Sequence, residues 1–367
     1  MKAALLARLD SVVRPLAVRL PASLAVRLYS EGRKLFLSML VRERPQPYIP
    51  PDSHRRVLWG IPFRGPLMNA AGIFKNGEGY EVVALQGAAA YLAGTTTTFA
   101  REGNSKAGIK LPFAPYPQSG AASNWLGLPN KGHAAVAKKL AGLQRINNCP
   151  VGISIMSAPE SSGHQALQEL AEALVLFDRA GVDFVELNES CPNAGHAHGG
   201  MQELAERLEF LSREVLRKRS RVLPVIVKFS NDTQPEQVAG LLDILNTLQY
   251  DGINFGNTST AYAQHRPNVA VGERHLYDYF TSTFGGGISG RLLAASSLQL
   301  ASTAVERLKA RPADREFHVI RTGGIETAAD LAASEQAGIS LNQWYTGYFE
   351  QFATAGHALY RRLLSGS

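Results

Sequence analysis

A chain of 367 residues with 45% hydrophobic and 19% charged side chains has ample apolar material for a buried core, which excludes a disordered, collagen-like or coiled-coil protein. Its net charge of +7 lies wholly in residues 1–56, where 11 Lys/Arg stand against 4 Asp/Glu, while the remainder holds 27 of each. A neutral body offers no broad basic face for a nucleic-acid backbone, so an anionic surface, a membrane above all, is a partner for the first 56 residues alone. The two cysteines, Cys149 and Cys191, are too few for a disulfide framework or a zinc ribbon, and a reducing compartment is the default.

Charges at Lys2, Arg8, Asp10 and Arg14 interrupt the N-terminal apolar stretches, so neither a secretory signal nor a membrane span is expected there. Leu5, Leu9, Val12 and Leu16 recur at helical spacing, and Pro21 opens a second stretch in which Leu24, Ala25 and Leu28 share a face. Residues 1–44 are therefore predicted to form two amphipathic helices, whose apolar faces either pack on the protein's own domain or dock at a membrane surface. Pro45, Pro47, Pro50 and Pro51 mark a linker over residues 45–60.

From residue 61 to 367, β-type runs alternate with helix-period segments. The runs are 67–72, 89–97, 151–156, 184–188, 224–230, 252–257, 317–323 and 340–346; the helical patterns are 133–144, 163–179, 202–219, 234–247, 291–309, 327–336 and 348–364. Eight such units predict an α/β protein, a closed (β/α)8 TIM barrel with a small N-terminal helical extension. The uncharged stretch Val82–Ala100 contains Gly87, Gly94 and four consecutive threonines, which fit a helix-turn-strand passage better than a membrane span.

In a barrel the chemistry belongs at the C-terminal ends of the strands. Gly72 and Lys75 follow the first run, Asn188 to Asn193 the fourth, and Asn257, Thr258 and Ser259 the sixth, while Lys228 ends the fifth. Three glycine clusters, 285–290, 323–324 and 347, fall where barrels bind phosphate, because glycine lets backbone N–H groups approach an anion at a helix N-terminus. A phosphorylated ligand is implied.

These residues resemble a known family from about residue 60 to the C-terminus. The segments Asn-Ala-Ala-Gly-Ile-Phe-Lys (69–75), Asn-Trp-Leu-Gly-Leu-Pro-Asn (124–130), Asn-Glu-Ser-Cys-Pro-Asn (188–193), Val-Lys-Phe (227–229), Asn-Thr-Ser (257–259), Gly-Gly-Ile-Ser-Gly (286–290), Thr-Gly-Gly-Ile (322–325) and Tyr-Thr-Gly (345–347) together are similar to those of the dihydroorotate dehydrogenases, flavin-dependent barrel enzymes of pyrimidine synthesis. The resemblance implies FMN held by Ala71, Gly72, Gly94, Thr95, Ser154, Asn188, Lys228, Ser289, Gly290, Gly323, Gly324, Tyr345 and Thr346. It implies a dihydroorotate pocket of Lys75, Asn124, Asn188, Asn193, Asn257 and Thr258, with Cys191 as the base and Lys228 as the cation beside the flavin.

The family divides by electron acceptor, and this chain carries marks of both branches. A helical pair like residues 1–44 belongs to the membrane-bound, quinone-using branch, which implies a quinone acceptor and a peripheral place on the cytoplasmic face of a membrane. Cys191 and the Gly-Leu-Pro-Asn of 127–130 are similar to the soluble branch, which implies fumarate or NAD and a soluble cytoplasmic protein. The histidine usual in the quinone branch's helical pair has no counterpart in residues 1–53, and its arginine before the substrate loop none between Arg101 and Asn124. A dihydrouridine synthase, also an FMN barrel with an active cysteine, fits the neutral body poorly, and a non-catalytic binding barrel fits the near-complete site poorly. His196 and His198 lack an evident third ligand, so no metal site is expected; they fit a loop over the substrate.

Overall fold

The structure, a computed structural model, describes residues 2–189 and 200–365. Each of the eight apolar runs contains a strand: β1 (Leu67–Asn69), β2 (Tyr91–Thr96), β3 (Val151–Ile155), β4 (Phe184–Asn188), β5 (Val225–Phe229), β6 (Gly252–Phe255), β7 (His318–Thr322) and β8 (Leu341–Trp344). They form one parallel sheet in the order β1-β8-β7-β6-β5-β4-β3-β2. Apart from His318, every residue in them is buried, because one face fills the barrel and the other meets the helices. The strands stop short of the sequence runs because the last residues of those runs, Asn257, Gly323 and Thr346 among them, turn out of the ladder towards a common cleft. A side chain fastens the seam between β1 and β2: Asn69 Nδ2 donates to the Leu92 carbonyl at 2.7 Å, and the Leu92 N–H donates to Asn69 Oδ1 at 3.1 Å.

The helices are α1 (Ala3–Ala17), α2 (Ala22–Leu40), α3 (Tyr80–Gln86), α4 (His133–Ala141), α5 (Gly163–Arg179), α6 (Met201–Glu214), α7 (Gln237–Thr247), α8 (Arg274–Thr283), α9 (Ala294–Ala310), α10 (Ala328–Gln336), α11 (Thr346–Ala355) and α12 (Leu359–Leu364). The helical pattern of 348–364 is split between α11 and α12 because Gly356 adopts φ +57°, where the helix breaks. The linker is shorter than residues 45–60: Arg56–Leu58 pairs with Ile61–Phe63 as an antiparallel hairpin. Its Leu58, Trp59 and Phe63 pack with Met68, Leu92, Phe184, Ile226, Ile320 and Leu341 in one apolar cluster.

Helix α8 and a small antiparallel sheet are among the elements absent from the sequence reading. Gly287–Gly290, expected as part of a glycine loop before a helix, is a strand paired with Ala121–Asn124, which pairs in turn with Phe113–Tyr116. Glycine and alanine carry little strand preference, so the sequence gives no local sign of this sheet. The N-terminal pair is helical as predicted, and much of its leucine face points away from the protein. α1 buries Ala3, Ala7, Arg14 and Ala17 and leaves Leu5, Leu9, Val12 and Leu16 exposed, Val12 at 76%. α2 likewise leaves Leu24, Leu28 and Leu35 exposed. Arg14 anchors α1 to α11, its Nη1 lying 2.5 Å from Glu350 Oε1, with Asp10 3.2 Å from its Nε. Among the described residues no helix is long and apolar enough to cross a membrane.

Candidate active site

The strand ends open into a cleft that encloses about 900 Å³, the open space at its mouth included. Its lining brings together most of the residues expected from sequence: Ala71, Gly72 and Lys75 after β1, Thr95 in β2, Asn124 at the end of the short antiparallel strand, Asn188 in β4, Lys228 in β5, and Asn257 and Thr258 after β6. Ser289, Gly290, Gly323, Gly324, Tyr345 and Thr346 line it from the β7 and β8 side. Gly94 and Ser154 stand behind this lining. The Gly94 carbonyl accepts from the Gly72 N–H at 2.6 Å, and Ser154 Oγ lies 2.9 Å from Thr95 Oγ1. Cys191, Asn193, His196 and His198 lie outside the described residues.

A chain of hydrogen bonds fixes how the amides face the cleft. Asn188 Nδ2 donates to Thr95 Oγ1 at 3.1 Å, Asn257 Nδ2 donates to Asn188 Oδ1 at 3.1 Å, and the Thr258 N–H donates to Asn257 Oδ1 at 2.9 Å. Each amide is thereby oriented by its neighbour, so its remaining donor and acceptor positions are set in advance. Thr258 Oγ1 is buried with no hydrogen-bond partner among the described residues, the condition expected of a hydroxyl that serves a ligand. The loop carrying these residues is tied down by Asp232, which accepts from the Ser259 hydroxyl and, at 2.7 Å, from the Thr260 N–H. His265 Nε2 lies 2.8 Å from Ser259 Oγ. This is no nucleophile triad, in which histidine stands between acid and serine; here serine stands between and donates its hydroxyl hydrogen bond to the carboxylate.

Beneath the cleft floor lies a second network that the sequence reading missed. Lys228 Nζ is 3.1 Å from Glu186 Oε1, and Glu186 Oε2 accepts from Asn254 Nδ2 at 2.9 Å and Gln343 Nε2 at 2.6 Å. Thr322 Oγ1 lies 2.9 Å from Asn254 Oδ1 and 3.1 Å from Gln343 Oε1. Glu186 is two residues before Asn188 in β4, hence on the same face of that strand and one step deeper. A charge inside the apolar run Phe184–Asn188 was the available signal. Arg33 of α2 was also missed. Its guanidinium donates to the Tyr345 hydroxyl at 2.8 Å and to the Gly72 carbonyl at 3.2 Å, bringing the helical pair to the rim of the cleft. With Tyr345 lying 312 residues away, no local pattern foretells that contact.

At the β7 and β8 end the backbone itself forms the cradle. Gly290 has φ +97°, and a Cβ there would sit 2.3 Å from the Gly120 carbonyl; Gly324 has φ +73°, and a Cβ would sit 2.3 Å from Ala294 Cα. No other residue type fits without moving main chain. Helices α9 and α11 begin beside this corner, and Ser289 Oγ and Thr346 Oγ1 lie 2.9 Å apart within it. Hydroxyls, tight glycine turns and two helix N-termini are the donor set a phosphate group requires. A phosphorylated ligand therefore suits the cleft, with donors for the anion at one side and Lys228 at the floor.

An eight-stranded barrel with an anion cradle and an amide-lined pocket at its strand ends is the architecture of a barrel enzyme. The chain belongs to the dihydroorotate dehydrogenase family, whose model matches residues 55–363. It is 30% identical over 297 residues to the dihydroorotate dehydrogenase (quinone) of a Synechococcus strain, covering 79% of this chain and 74% of that one. To the enzyme of the same description from Nocardia farcinica it is 31% identical, over 79% of this chain and 74% of the relative. The solved dihydroorotate dehydrogenase of Eimeria tenella in complex with ferulenol shares the fold with a TM-score of 0.74 at 19% identity, over 91% of this chain and 89% of that one.

Proposed function

We propose that the protein oxidises dihydroorotate to orotate with FMN as hydride acceptor, in pyrimidine biosynthesis, and passes the electrons to a quinone. The observation that carries this reading is that one cleft holds both an oriented chain of amides and a glycine-built anion cradle. Dihydroorotate is a cyclic diamide with a carboxylate. Asn124, Asn188, Asn193 and Asn257 supply donor and acceptor edges to the ring, Thr258 adds a hydroxyl, and Lys75 meets the carboxylate. Cys191, as thiolate, takes the C5 proton while the C6 hydride departs to the opposite face. FMN, when bound, supplies the acceptor for that hydride. Its phosphate is assigned to Ser289, Gly290, Gly323, Gly324 and Thr346. Its ring is assigned to the shelf of Ala71, Gly72, Gly94, Thr95, Ser154, Asn188 and Tyr345. Lys228 holds a fixed positive charge where the reduced ring becomes anionic.

Two electrons then leave for a quinone, which takes up two protons. This half of the reading rests on the quinone-using relatives, on Arg33 at the cleft rim, and on the leucines that α1 and α2 turn outwards. Residues 1–44 hold 9 Lys/Arg against 3 Asp/Glu, and each basic residue near an anionic membrane contributes roughly 1 kcal/mol, so the same helices favour a peripheral place on such a surface. The test is to mix the yellow protein with dihydroorotate without oxygen, follow bleaching of the flavin, and then supply a quinone, fumarate or NAD in parallel. Bleaching with reoxidation by the quinone alone is the expected result. A colourless protein that takes up no FMN refutes the flavoenzyme reading, and faster reoxidation by fumarate or NAD refutes the quinone.

A further inference from the structure

Glu186 takes no part in the chemistry above, yet its carboxylate is committed on both oxygens at the centre of the barrel. It is 1% exposed, its Oε1 is held by Lys228, and its Oε2 by Asn254 and Gln343. Those two amides turn their N–H groups to Glu186 and their carbonyls to Thr322, closing a ring through β4, β6, β7 and β8. Lys228 and Thr322 line the cleft, whereas Glu186, Asn254 and Gln343 do not.

We propose that Glu186 is a positioning residue for the flavin: its carboxylate fixes the charge and place of the Lys228 ammonium, and through that ammonium the ease with which the ring is reduced. The inference rests on the reading of the cleft as an FMN site. An ammonium that is 3% exposed is stable only if paired, and Glu186 pairs it from below, on the side away from the ligand. Three donors, one on Oε1 and two on Oε2, hold the carboxylate in place beneath the lysine. The positive charge therefore stays under the ring, where it favours the reduced anion at no cost of reorganisation. Because the lysine stands between them, the carboxylate's own negative charge is the more distant and the weaker influence on the ring.

The test is a double-mutant cycle on the FMN-loaded protein, with Glu186→Gln, Lys228→Met and the pair together. The readouts are the flavin midpoint potential by dye equilibration and the FMN dissociation constant. Glu186→Gln is expected to lower the potential in the same direction as Lys228→Met and to weaken FMN binding about tenfold, the lower end of what removing a supporting residue costs at metal sites. In the Lys228→Met background the same change is expected to do almost nothing, because the effect runs through the lysine. A potential that is unchanged or raised by Glu186→Gln overturns the proposal, as do shifts that add in the double variant. Gln343→Met, which removes one donor from Glu186 and keeps the charge, is expected to give a smaller shift of the same sign and decides the matter if Glu186→Gln does not fold. Wild-type protein that binds no FMN overturns the underlying site reading instead, and the inference with it.

Discussion

The barrel interior and the N-terminal helices use polar and apolar side chains in opposite ways. Within the barrel, buried polar groups are bonded to one another in extended sets, as in the Glu186 ring and the run from Ser154 through Thr95 and Asn188 to Asn257. In α1 small residues and an ion pair face the protein while Leu5, Leu9 and Leu16 face out, and α2 buries Val26, Tyr29 and Leu40 but leaves Leu24, Leu28 and Leu35 outside. A satisfied polar interior fixes geometry to fractions of an ångström. An outward leucine face fixes nothing by itself and needs a surrounding that is not water. In the proposed function the contrast separates two tasks: chemistry on a small substrate in the barrel, delivery of a lipid-soluble acceptor at the helices.

The strongest way to break this division is at the base. Cys191→Ala is expected to keep its flavin but to slow reduction by dihydroorotate by about two to four orders of magnitude, the range of a lost general base, measured by stopped-flow absorbance; near-normal reduction removes Cys191 from the mechanism. On the helical side, replacing Leu9, Val12 and Leu16 together with glutamine is expected to leave the melting temperature and flavin reduction unchanged, since all three are exposed. Binding to anionic vesicles and turnover with long-tailed quinones should fall several-fold, with short-tailed quinones spared. Equal turnover with both quinones would place acceptor entry elsewhere.

Arg33→Ala tests where the two regions meet. The KM for quinone is expected to rise about tenfold, the worth of one charge-assisted hydrogen bond, with the rate of flavin reduction little altered. An effect on reduction alone would assign Arg33 to the barrel's task. The smallest effect concerns the barrel's stability. Burial pushes His133 down to about 4, so it stays neutral in the fold, whereas an unfolded histidine takes its proton near 6.5. Stability attributable to this residue is intact above pH 6.5 and is lost as pH falls from there towards 4, by at most about 3 kcal/mol. His133→Asn should flatten the slope of urea midpoints over that window, and an unchanged slope would assign the acid sensitivity to other groups.

The eight strands were legible because a strand buried on both faces reads as a nearly continuous apolar run, and residues such as Lys75, Asn188 and Asn257 cluster where those runs end. What was not legible is equally physical. The strand Gly287–Gly290 lacks the side chains that announce strands. The stripe of Leu5, Leu9, Val12 and Leu16 was read correctly as one helical face, but periodicity says only that a face is apolar, not what it meets. Arg33 and Gln343 reach partners 312 and 157 residues away in the chain, contacts that only the closed barrel creates.

The small antiparallel sheet over the cleft acts as a ruler. Asn124 is in register with Gly287, and Ala121 with Gly290, so three residues of one ladder separate the amide assigned to the substrate ring from the glycine assigned to the phosphate. At about 3.4 Å per residue that span is roughly 10 Å. The two marks sit on different excursions of the chain, one between β2 and α4, the other between β6 and α9. A single residue inserted into either strand would slide the marks by one step and turn Asn124 to the wrong face. The distance between the two ligands is thus written into hydrogen-bond register, and both excursions can change length freely only outside those four pairs.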